Sequence, residues 1–219
     1  MLLAALGIAT SLWIFVVVAS LVVSGHAQTI DERILLAFRR PEDPAVPIGP
    51  RWCHQIAIEV TALGSVPVMI AIILAVCAWM ALADRRASIG IVLASSCGAG
   101  LLNTALKNAF GRPRPAVVPQ LAMVDSMSFP SGHAMMAAAV YLTLGALLAR
   151  TTTRWQLRLY YLGVALAVTG LVALSRVYLG VHYPSDVLAG MAAGALWALA
   201  CDLAAWRLQR EGIERAPVR

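Results

Sequence analysis

Three polar clusters interrupt an otherwise apolar chain, and their residue types suit the handling of a phosphoryl group. They cover positions 107–115, 129–133 and 175–186. Their fixed cations are Lys107, Arg114 and Arg176, and cations of this kind match the peripheral oxygens of a phosphoryl group. Ser131 and Gly132 stand where a helix begins, and the free backbone amides there favour an anion. The clusters therefore predict a phosphate-binding site.

Two histidines and one acid supply groups for covalent chemistry at such a site. His182 precedes Asp186 by four residues, and Pro184 between them suits the first turn of a helix. Asp186 is then placed to accept the Nδ1 proton of His182, which leaves Nε2 as a nucleophile. His133, at the start of another helix, is free to protonate the departing oxygen and then to activate water. Each piece alone has an ordinary structural explanation, but their conjunction on one side of a membrane predicts a functional site.

Six apolar stretches must position these residues, and each is long enough to cross a bilayer as a helix. They are 2–23, 56–83, 87–106, 132–149, 157–174 and 187–206. The chain of 219 residues is 60% hydrophobic and 13% charged, whereas a soluble domain is about half apolar and a quarter charged. We therefore expect an all-α integral membrane protein with one domain over 1–219 and a core bundle of spans three to six. The first span lacks a preceding Lys or Arg and is too long for a signal peptide, so we expect it to be retained.

A short amphipathic helix is predicted after the first span, at positions 30–40. Thr29 and Glu32 have the spacing of a capping box, and Arg39 and Arg40 suit the C-terminal end of the helix dipole. Prolines at intervals between 41 and 50 then prevent continuation and predict an extended loop. We expect this helix to lie on the membrane surface, where it either connects spans or flanks the route by which lipids reach the site.

Loop charges predict the orientation. Once Lys107, Arg114 and Arg176 are assigned to the site, most remaining basic residues lie on the side of the two termini. The positive-inside rule then places both termini in the cytoplasm and the site on the outer face of a bacterial inner membrane. Arg112 has no predicted role at the site and is expected to be an interface anchor. The net charge of +6 is distributed between apolar runs, so we expect no nucleic acid partner.

The three clusters together resemble the signature of the type 2 phosphatidic acid phosphatase superfamily, KxxxxxxRP, PSGH and SRxxxxxHxxxD. Every signature position is filled between 107 and 186. The resemblance implies that His182 forms a phosphohistidine, that Asp186 orients it, and that His133 is the general acid and then base. It implies that five residues bind the phosphate: Lys107, Arg114, Ser131, Gly132 and Arg176. It also implies a reaction without a metal ion or cofactor.

The expected activity is hydrolysis of a lipid phosphate or diphosphate, because a site at headgroup level meets amphiphiles that diffuse in the leaflet. Undecaprenyl diphosphate is the first candidate substrate, and phosphatidylglycerol phosphate, phosphatidic acid and lipid A are alternatives. Two other classes of protein are alternatives to a lipid phosphatase. A vanadium haloperoxidase-like enzyme shares the superfamily, but six spans count against it. A non-catalytic membrane protein that kept the motifs is disfavoured because every reactive position is filled. The oligomeric state is left open.

Overall fold

The computed structural model describes residues 2–214, and over this stretch the chain forms eight helices and one short hairpin. The helices are α1 (Leu2–Val23), α2 (Gln28–Ala37), α3 (Arg51–Ala62), α4 (Val66–Leu82), α5 (Arg86–Phe110), α6 (Gly132–Ala149), α7 (Trp155–Tyr178) and α8 (Pro184–Glu214). The antiparallel hairpin between α2 and α3 joins β1 (Arg39–Arg40) to β2 (Asp43–Pro47).

Five of the described helices are long and apolar enough to cross a membrane, namely α1, α5, α6, α7 and α8. Helices α3 and α4 meet the same test as a pair, with a bend of 49° between them, and the number of spans is six if this bent pair is counted as one. The predicted all-helical membrane fold is confirmed, and α1 and α6 begin and end where the apolar pattern predicted.

The second predicted span, 56–83, was expected to be one continuous helix, and this is wrong. Pro67 occupies the second position of α4 and has no N–H to donate to the carbonyl of Leu63, so an α-helix cannot continue through it. Gly64 lies in the break, where an added Cβ would be 2.6 Å from the side chain of Val172 and 3.2 Å from that of His133. Only glycine allows this close approach, which brings the break against α6 and α7.

Helix α6 is the centre of the core bundle and packs against α5, α7 and α8. Its inward face is built of small side chains, including the fully buried Ala134, Ala137 and Ala138. Gly190 of α8 lies against the α6 backbone, where an added Cβ would be 2.6 Å from the carbonyl oxygen of Ser131. Small residues let two membrane helices approach closely. The contact fixes the first turn of α8 beside the first turn of α6, and both turns carry predicted site residues.

The amphipathic helix predicted at 30–40 forms as α2 but ends at Ala37, and the following loop is a hairpin. The predicted capping box does not form, because Thr29 lies inside the helix and Ala27 occupies the N-cap without a side-chain hydrogen bond. Arg39 lies buried in β1 rather than at the helix end. The first turn of α2 instead points Asp31 inward, where its carboxylate makes bonds described below.

Candidate active site

A cavity of about 430 Å³ opens at one end of the bundle and collects most of the predicted site residues. Six of the eight line it: Lys107, Arg114, Gly132, His133, Arg176 and His182. The other two, Ser131 and Asp186, are fully buried. Lys107 and His182, which are 75 positions apart in the chain, therefore line one volume.

Helix ends explain the convergence. Lys107 lies in the last turn of α5, which Gly111 ends with a left-handed backbone at φ +57°. Arg176 lies in the last turn of α7. Helix α6 begins at Gly132, with Ser131 as its N-cap in an extended conformation. The basic side chains at two C-terminal ends thus face the free amides of an N-terminal end, an arrangement that favours an anion between them.

His182 presents its Nε2 atom to the cations of the cavity. Nε2 lies 3.2 Å from Nη1 of Arg114, and a guanidinium only donates hydrogen bonds, so Nε2 is the acceptor. Nδ1 therefore carries the proton, and it lies 3.4 Å from Oγ of Ser128 and 3.5 Å from Oδ2 of Asp186. This tautomer leaves the Nε2 lone pair available for attack on phosphorus.

Burial keeps this imidazole neutral. His182 is 1% exposed, and its burial lowers the pKa to about 4, against the opposing effect of Asp186 and with a further lowering by Arg114 and Arg176. At neutral pH the ring is therefore unprotonated at Nε2, which is the form that a nucleophile requires.

Asp186 is held from several directions. Its Oδ2 accepts hydrogen bonds from Oγ of Ser128 at 2.5 Å and from the backbone N–H of Tyr183 at 2.9 Å. Since Tyr183 directly precedes α8 and Asp186 is its third residue, the second bond is the acid half of a capping box. Its Oδ1 accepts from Nη1 of Arg112 at 2.7 Å. The carboxylate is thus fixed in the orientation that faces Nδ1 of His182.

The three predicted phosphate-binding cations have only neutral hydrogen-bond partners among the described residues. Lys107 donates to the carbonyl of Met127 and to Oγ of Ser126. Arg114 donates to the carbonyls of Ser126 and Val181, each at 2.6 Å. Arg176 donates to Oγ1 of Thr61 at 2.9 Å. Because no carboxylate is ion-paired with them in residues 2–214, their charge is available to an anionic substrate.

The N-terminal end of α6 completes this lining. Oγ of Ser131 is buried and has no hydrogen-bond partner in the part of the chain that the structure describes, so it is free to bond a phosphate oxygen. Gly132 lies against Asn103, whose amide nitrogen would be 3.1 Å from an added Cβ. His133 faces the cavity from the next position, on α6, whereas Lys107 lies on α5 and His182 in the turn between α7 and α8. The two histidines thus reach the same volume from separate elements.

Sequence reasoning missed three residues that contact the His–Asp pair directly or through one neighbour. Arg112, expected to be an interface anchor, is instead partly buried, with 9% of its side chain exposed, and it is paired with Asp186 and Asp31. Burial opposes its charge, but the two carboxylates raise the pKa of Arg112 above its ordinary value. The repeated Arg-Pro pair in the first cluster was a usable signal for Arg112. Ser128 and Asp31 had no comparable signal.

Comparison with known proteins decides the family. The PAP2 superfamily matches residues 88–210, a stretch that contains all three clusters. The chain belongs to the PAP2 superfamily. Phosphatidylglycerophosphatase B of Bacillus subtilis is 33% identical over 186 residues, which cover 83% of this chain and 86% of that protein. An undecaprenyl-diphosphatase of Sulfolobus acidocaldarius is 43% identical over 68 residues, or 31% of this chain and 29% of that protein.

A solved PAP2 structure shares the architecture of the whole chain. The crystal structure of a transmembrane PAP2-type phosphatidylglycerolphosphate phosphatase from Bacillus subtilis superposes with a TM-score of 0.78 at 26% identity, over 97% of this chain and 98% of that one. The predicted family is confirmed, and with it a multi-pass membrane protein that is a phosphatase. This chain therefore has the fold and the enzyme class of a membrane PAP2 phosphatase.

Proposed function

We propose that this protein hydrolyses the phosphate monoester or diphosphate of a membrane lipid through a phosphohistidine at His182, without a metal ion. The observation that carries the proposal is the position of Nε2. It is unprotonated and faces a cavity that holds Lys107, Arg114 and Arg176, none of which is neutralised by a carboxylate among the described residues. A nucleophile beside three unpaired cations suits attack on a phosphoryl group.

In the first step Nε2 of His182 forms a bond to phosphorus, and the bond from phosphorus to the lipid oxygen breaks. His133 gives its proton to that oxygen, so the lipid leaves as an alcohol or, from a diphosphate, as a monophosphate. The imidazole of His182 becomes positively charged, and Asp186 beside Nδ1 stabilises this charge. The cations hold the three peripheral oxygens as charge spreads onto them.

In the second step a water molecule attacks the phosphorus atom of the phosphohistidine. His133, now neutral, takes a proton from this water, and the bond between phosphorus and Nε2 breaks. Inorganic phosphate leaves, His182 returns to the neutral form with its proton on Nδ1, and His133 is again protonated. The net reaction consumes one water molecule.

A second cavity supports a substrate with an alkyl chain. Its volume is about 210 Å³, it is lined mainly by apolar side chains of α4, with Ser96 and Cys97 from α5, and it shares Gly64, Val66 and Met136 with the catalytic cavity. The break between α3 and α4 lies where the two volumes meet. A lipid could thus place its phosphate among the cations and its chain along α4, whereas a water-soluble substrate would have no use for this groove.

Two lipids are the leading substrates of this proposal. Undecaprenyl diphosphate is the expectation from the sequence, because a site on the outer face suits recycling of a lipid carrier. Phosphatidylglycerol phosphate is favoured by one observation, the similarity over 83% of the chain to a phosphatidylglycerophosphatase. For both we propose an extracytoplasmic site in a bacterial inner membrane. Exposed arginines at the opposite end of the bundle, including Arg85, Arg86 and Arg150, support this orientation.

The experiment is phosphate release by the purified protein in detergent with excess EDTA. The panel contains undecaprenyl diphosphate, phosphatidylglycerol phosphate, phosphatidic acid and lipid A. His182→Ala is the test variant, and His26→Ala, an exposed histidine outside the site, is the matched control. Release that survives EDTA and His26→Ala but is lost in His182→Ala supports the proposal, and the relative rates rank the lipids.

Two results would contradict the proposal. Release that EDTA abolishes would require a metal ion. Absence of release from every lipid, together with halide oxidation on addition of vanadate and peroxide, would favour the haloperoxidase-like alternative. Vanadate should instead inhibit a phosphatase, because it resembles the five-coordinate phosphorus of the transition state.

A further inference from the structure

The side chain of Arg112 links the interfacial helix α2 to the carboxylate beside the nucleophile. Its Nη1 donates to Oδ1 of Asp186 and to Oγ of Ser185, each at 2.7 Å. Its Nη2 donates to Oδ2 of Asp31 at 2.9 Å and to Oε1 of Gln28 at 3.1 Å, both on α2. The guanidinium also lies over the ring of Tyr183, 4.1 Å from its centroid. Arg112 does not line the catalytic cavity, so its contacts serve neighbouring residues rather than a substrate.

Asp31 fixes the start of the helix that carries Asp186. It is 2% exposed, and its Oδ1 accepts from the backbone N–H of Ser185 at 2.9 Å while its Oδ2 accepts from the Ser185 hydroxyl at 2.5 Å. Ser185 is the second residue of α8, so its N–H has no partner inside the helix. A side chain from α2 thus caps the first turn of α8 from outside, one residue before Asp186.

The three charges form one buried chain, Asp186–Arg112–Asp31, in which the arginine is shared by two carboxylates. A buried charge without a partner is costly, so the arrangement depends on all three members. The planar guanidinium bonds one carboxylate through Nη1 and the other through Nη2, which fixes their relative direction in a way that a lysine with a single ammonium group does not reproduce. The orientation of Asp186, and through it the tautomer of His182, is therefore determined partly by α2.

We infer that Arg112 and Asp31 are positioning residues, through which the interfacial helix α2 holds Asp186 in register with His182. This inference rests on the proposed phosphohistidine mechanism. Helix α2 then does more than connect two spans, because its polar face holds residues of the active site in place. Ile30 and Ile34 of the same helix remain exposed. Partners that orient the ligands of a metal site typically contribute about 10–100-fold to activity, and we expect a comparable contribution here.

The pH profile distinguishes this role from a merely structural one. Five elements bring charged or titratable groups to the His182–Asp186 pair. These groups are Arg112 and Arg114 in the loop after α5, Lys107 on α5, His133 on α6, Arg176 on α7 and Asp31 on α2. The positive charge of Arg112 weakens the attraction of Asp186 for a proton on His182. Its removal should raise the pKa of His182 and move the acid limb of kcat/KM to higher pH. When the Asp31 charge is removed, Asp186 is the only carboxylate paired with Arg112. The acid limb of kcat/KM should therefore stay where it is or move to lower pH.

The first test is Arg112→Gln in the detergent assay, with the lipid that wild-type protein hydrolyses fastest. We expect kcat to fall about 10–100-fold, KM to change less than about twofold and the acid limb to move upward. Inhibition by inorganic phosphate should be unchanged, because the phosphate-binding cations are untouched. Arg33→Gln, an exposed arginine on α2, is the matched control and should equal wild type. Unchanged kcat, or a rise in KM alone, would overturn the inference.

The second test uses Asp31→Asn, Arg112→Lys and the double variant Asp31→Asn/Arg112→Gln. Asp31→Asn should lower kcat several-fold without the upward shift, and Glu42→Gln, an exposed acid in the hairpin, should have no effect. Arg112→Lys should recover only part of kcat, since it keeps the charge but not the two-sided contact. The double variant should be no slower than Arg112→Gln alone, because both act through Asp186. Fully additive losses would overturn the link.

These outcomes separate the inference from the proposed function. If wild-type protein releases no phosphate from any lipid, or if His182→Ala retains activity, the mechanism itself fails. If wild type is active and His182→Ala is not, the mechanism stands and the Arg112 and Asp31 variants alone decide the inference. Should Arg112→Gln not fold, Arg112→Lys and Asp31→Asn still give the kcat and pH readouts.

Discussion

At the residue scale, the two histidines reach one cavity from different elements, and this separates their duties. His182 follows α7, and its Nδ1 faces Asp186. His133 lies in the first turn of α6 and is not part of this His–Asp pair. In the proposed mechanism, His182 attacks phosphorus and His133 transfers a proton to the leaving oxygen. The separation makes each role open to an independent test.

The leaving group should discriminate between the two roles. Loss of the general acid in His133→Ala should slow lipid hydrolysis about 10²–10⁴-fold, with a much smaller loss on an aryl phosphate whose oxygen leaves without protonation. His182→Ala should abolish turnover of both substrates, because no bond to phosphorus forms. Steady-state rates on the lipid and on the aryl phosphate give the comparison. Equal losses for His133→Ala on both substrates would contradict its role as general acid.

The pH dependence follows from the environment of His182. Its pKa is lowered to about 4, chiefly by burial, and the reactive form is the neutral one. Activity should therefore persist well below the ordinary histidine pKa of about 6.5 and fall only as the pH approaches 4, where the ring gains a proton. An alkaline limb is also expected, because His133 must carry a proton, so the profile of kcat/KM should be bell-shaped. A flat profile between pH 5 and 9, or an acid limb near 6.5, would contradict this assignment.

Residue types and spacing were sufficient to predict which side chains meet, but not everything that they touch. The eight predicted residues lie in short motifs at helix ends, so local rules of capping and dipoles place them. Arg112 and Asp31 are 81 positions apart, and their bond exists only because α2 folds back against the start of α8. No local pattern contains that information. Ser128 likewise acquires its contact with Asp186 from tertiary packing alone.

At the element scale, the break between α3 and α4 is the main departure from the predicted helices. Apolar composition gives the extent of a span but does not show where a helix bends, and the pattern over 56–83 is apolar on both sides of the break. Pro67 was a local signal for an interruption. The reason for the glycine beside it appears only in the packing, since Gly64 lies between Val172 and His133.

Gly64 should therefore be sensitive to a single methyl group. Gly64→Ala places a Cβ 2.6 Å from Val172, and overpacking of this kind costs about 1–3 kcal/mol of stability. Because the same methyl would lie 3.2 Å from His133, kcat should fall as well. Thermal unfolding in detergent and phosphate release measure the two effects. Gly170→Ala, on α7 with no neighbour within 4 Å of an added Cβ, is the control and should lower neither stability nor kcat, since alanine favours a helix more than glycine does. A Gly64→Ala protein with wild-type stability and kcat would show that the close contact is unimportant.

At the scale of the whole molecule, the bundle has two chemically different ends. One end gathers the predicted phosphate-binding cations, the hairpin and the long loop before α6, while the other carries exposed arginines in the turns after α4 and α6. The proposed orientation assigns the first end to the outside of the cell. Part of the basic tail behind that assignment, Arg215 and Arg219, lies outside the described residues, so the remaining loops carry the structural argument.

Thiol labelling tests this orientation directly. In a variant whose four native cysteines are replaced by serine, Met123→Cys places a thiol in the loop before α6, at a position that is 98% exposed. Thr153→Cys places one in the exposed loop after α6, at the opposite end of that helix. A membrane-impermeant maleimide applied to intact spheroplasts should label the first and not the second, because only the catalytic end faces outward. After lysis both should react, which controls for accessibility of the thiols themselves. The reverse pattern would place the active site in the cytoplasm, and recycling of a lipid carrier from the outer leaflet would then be excluded as its task.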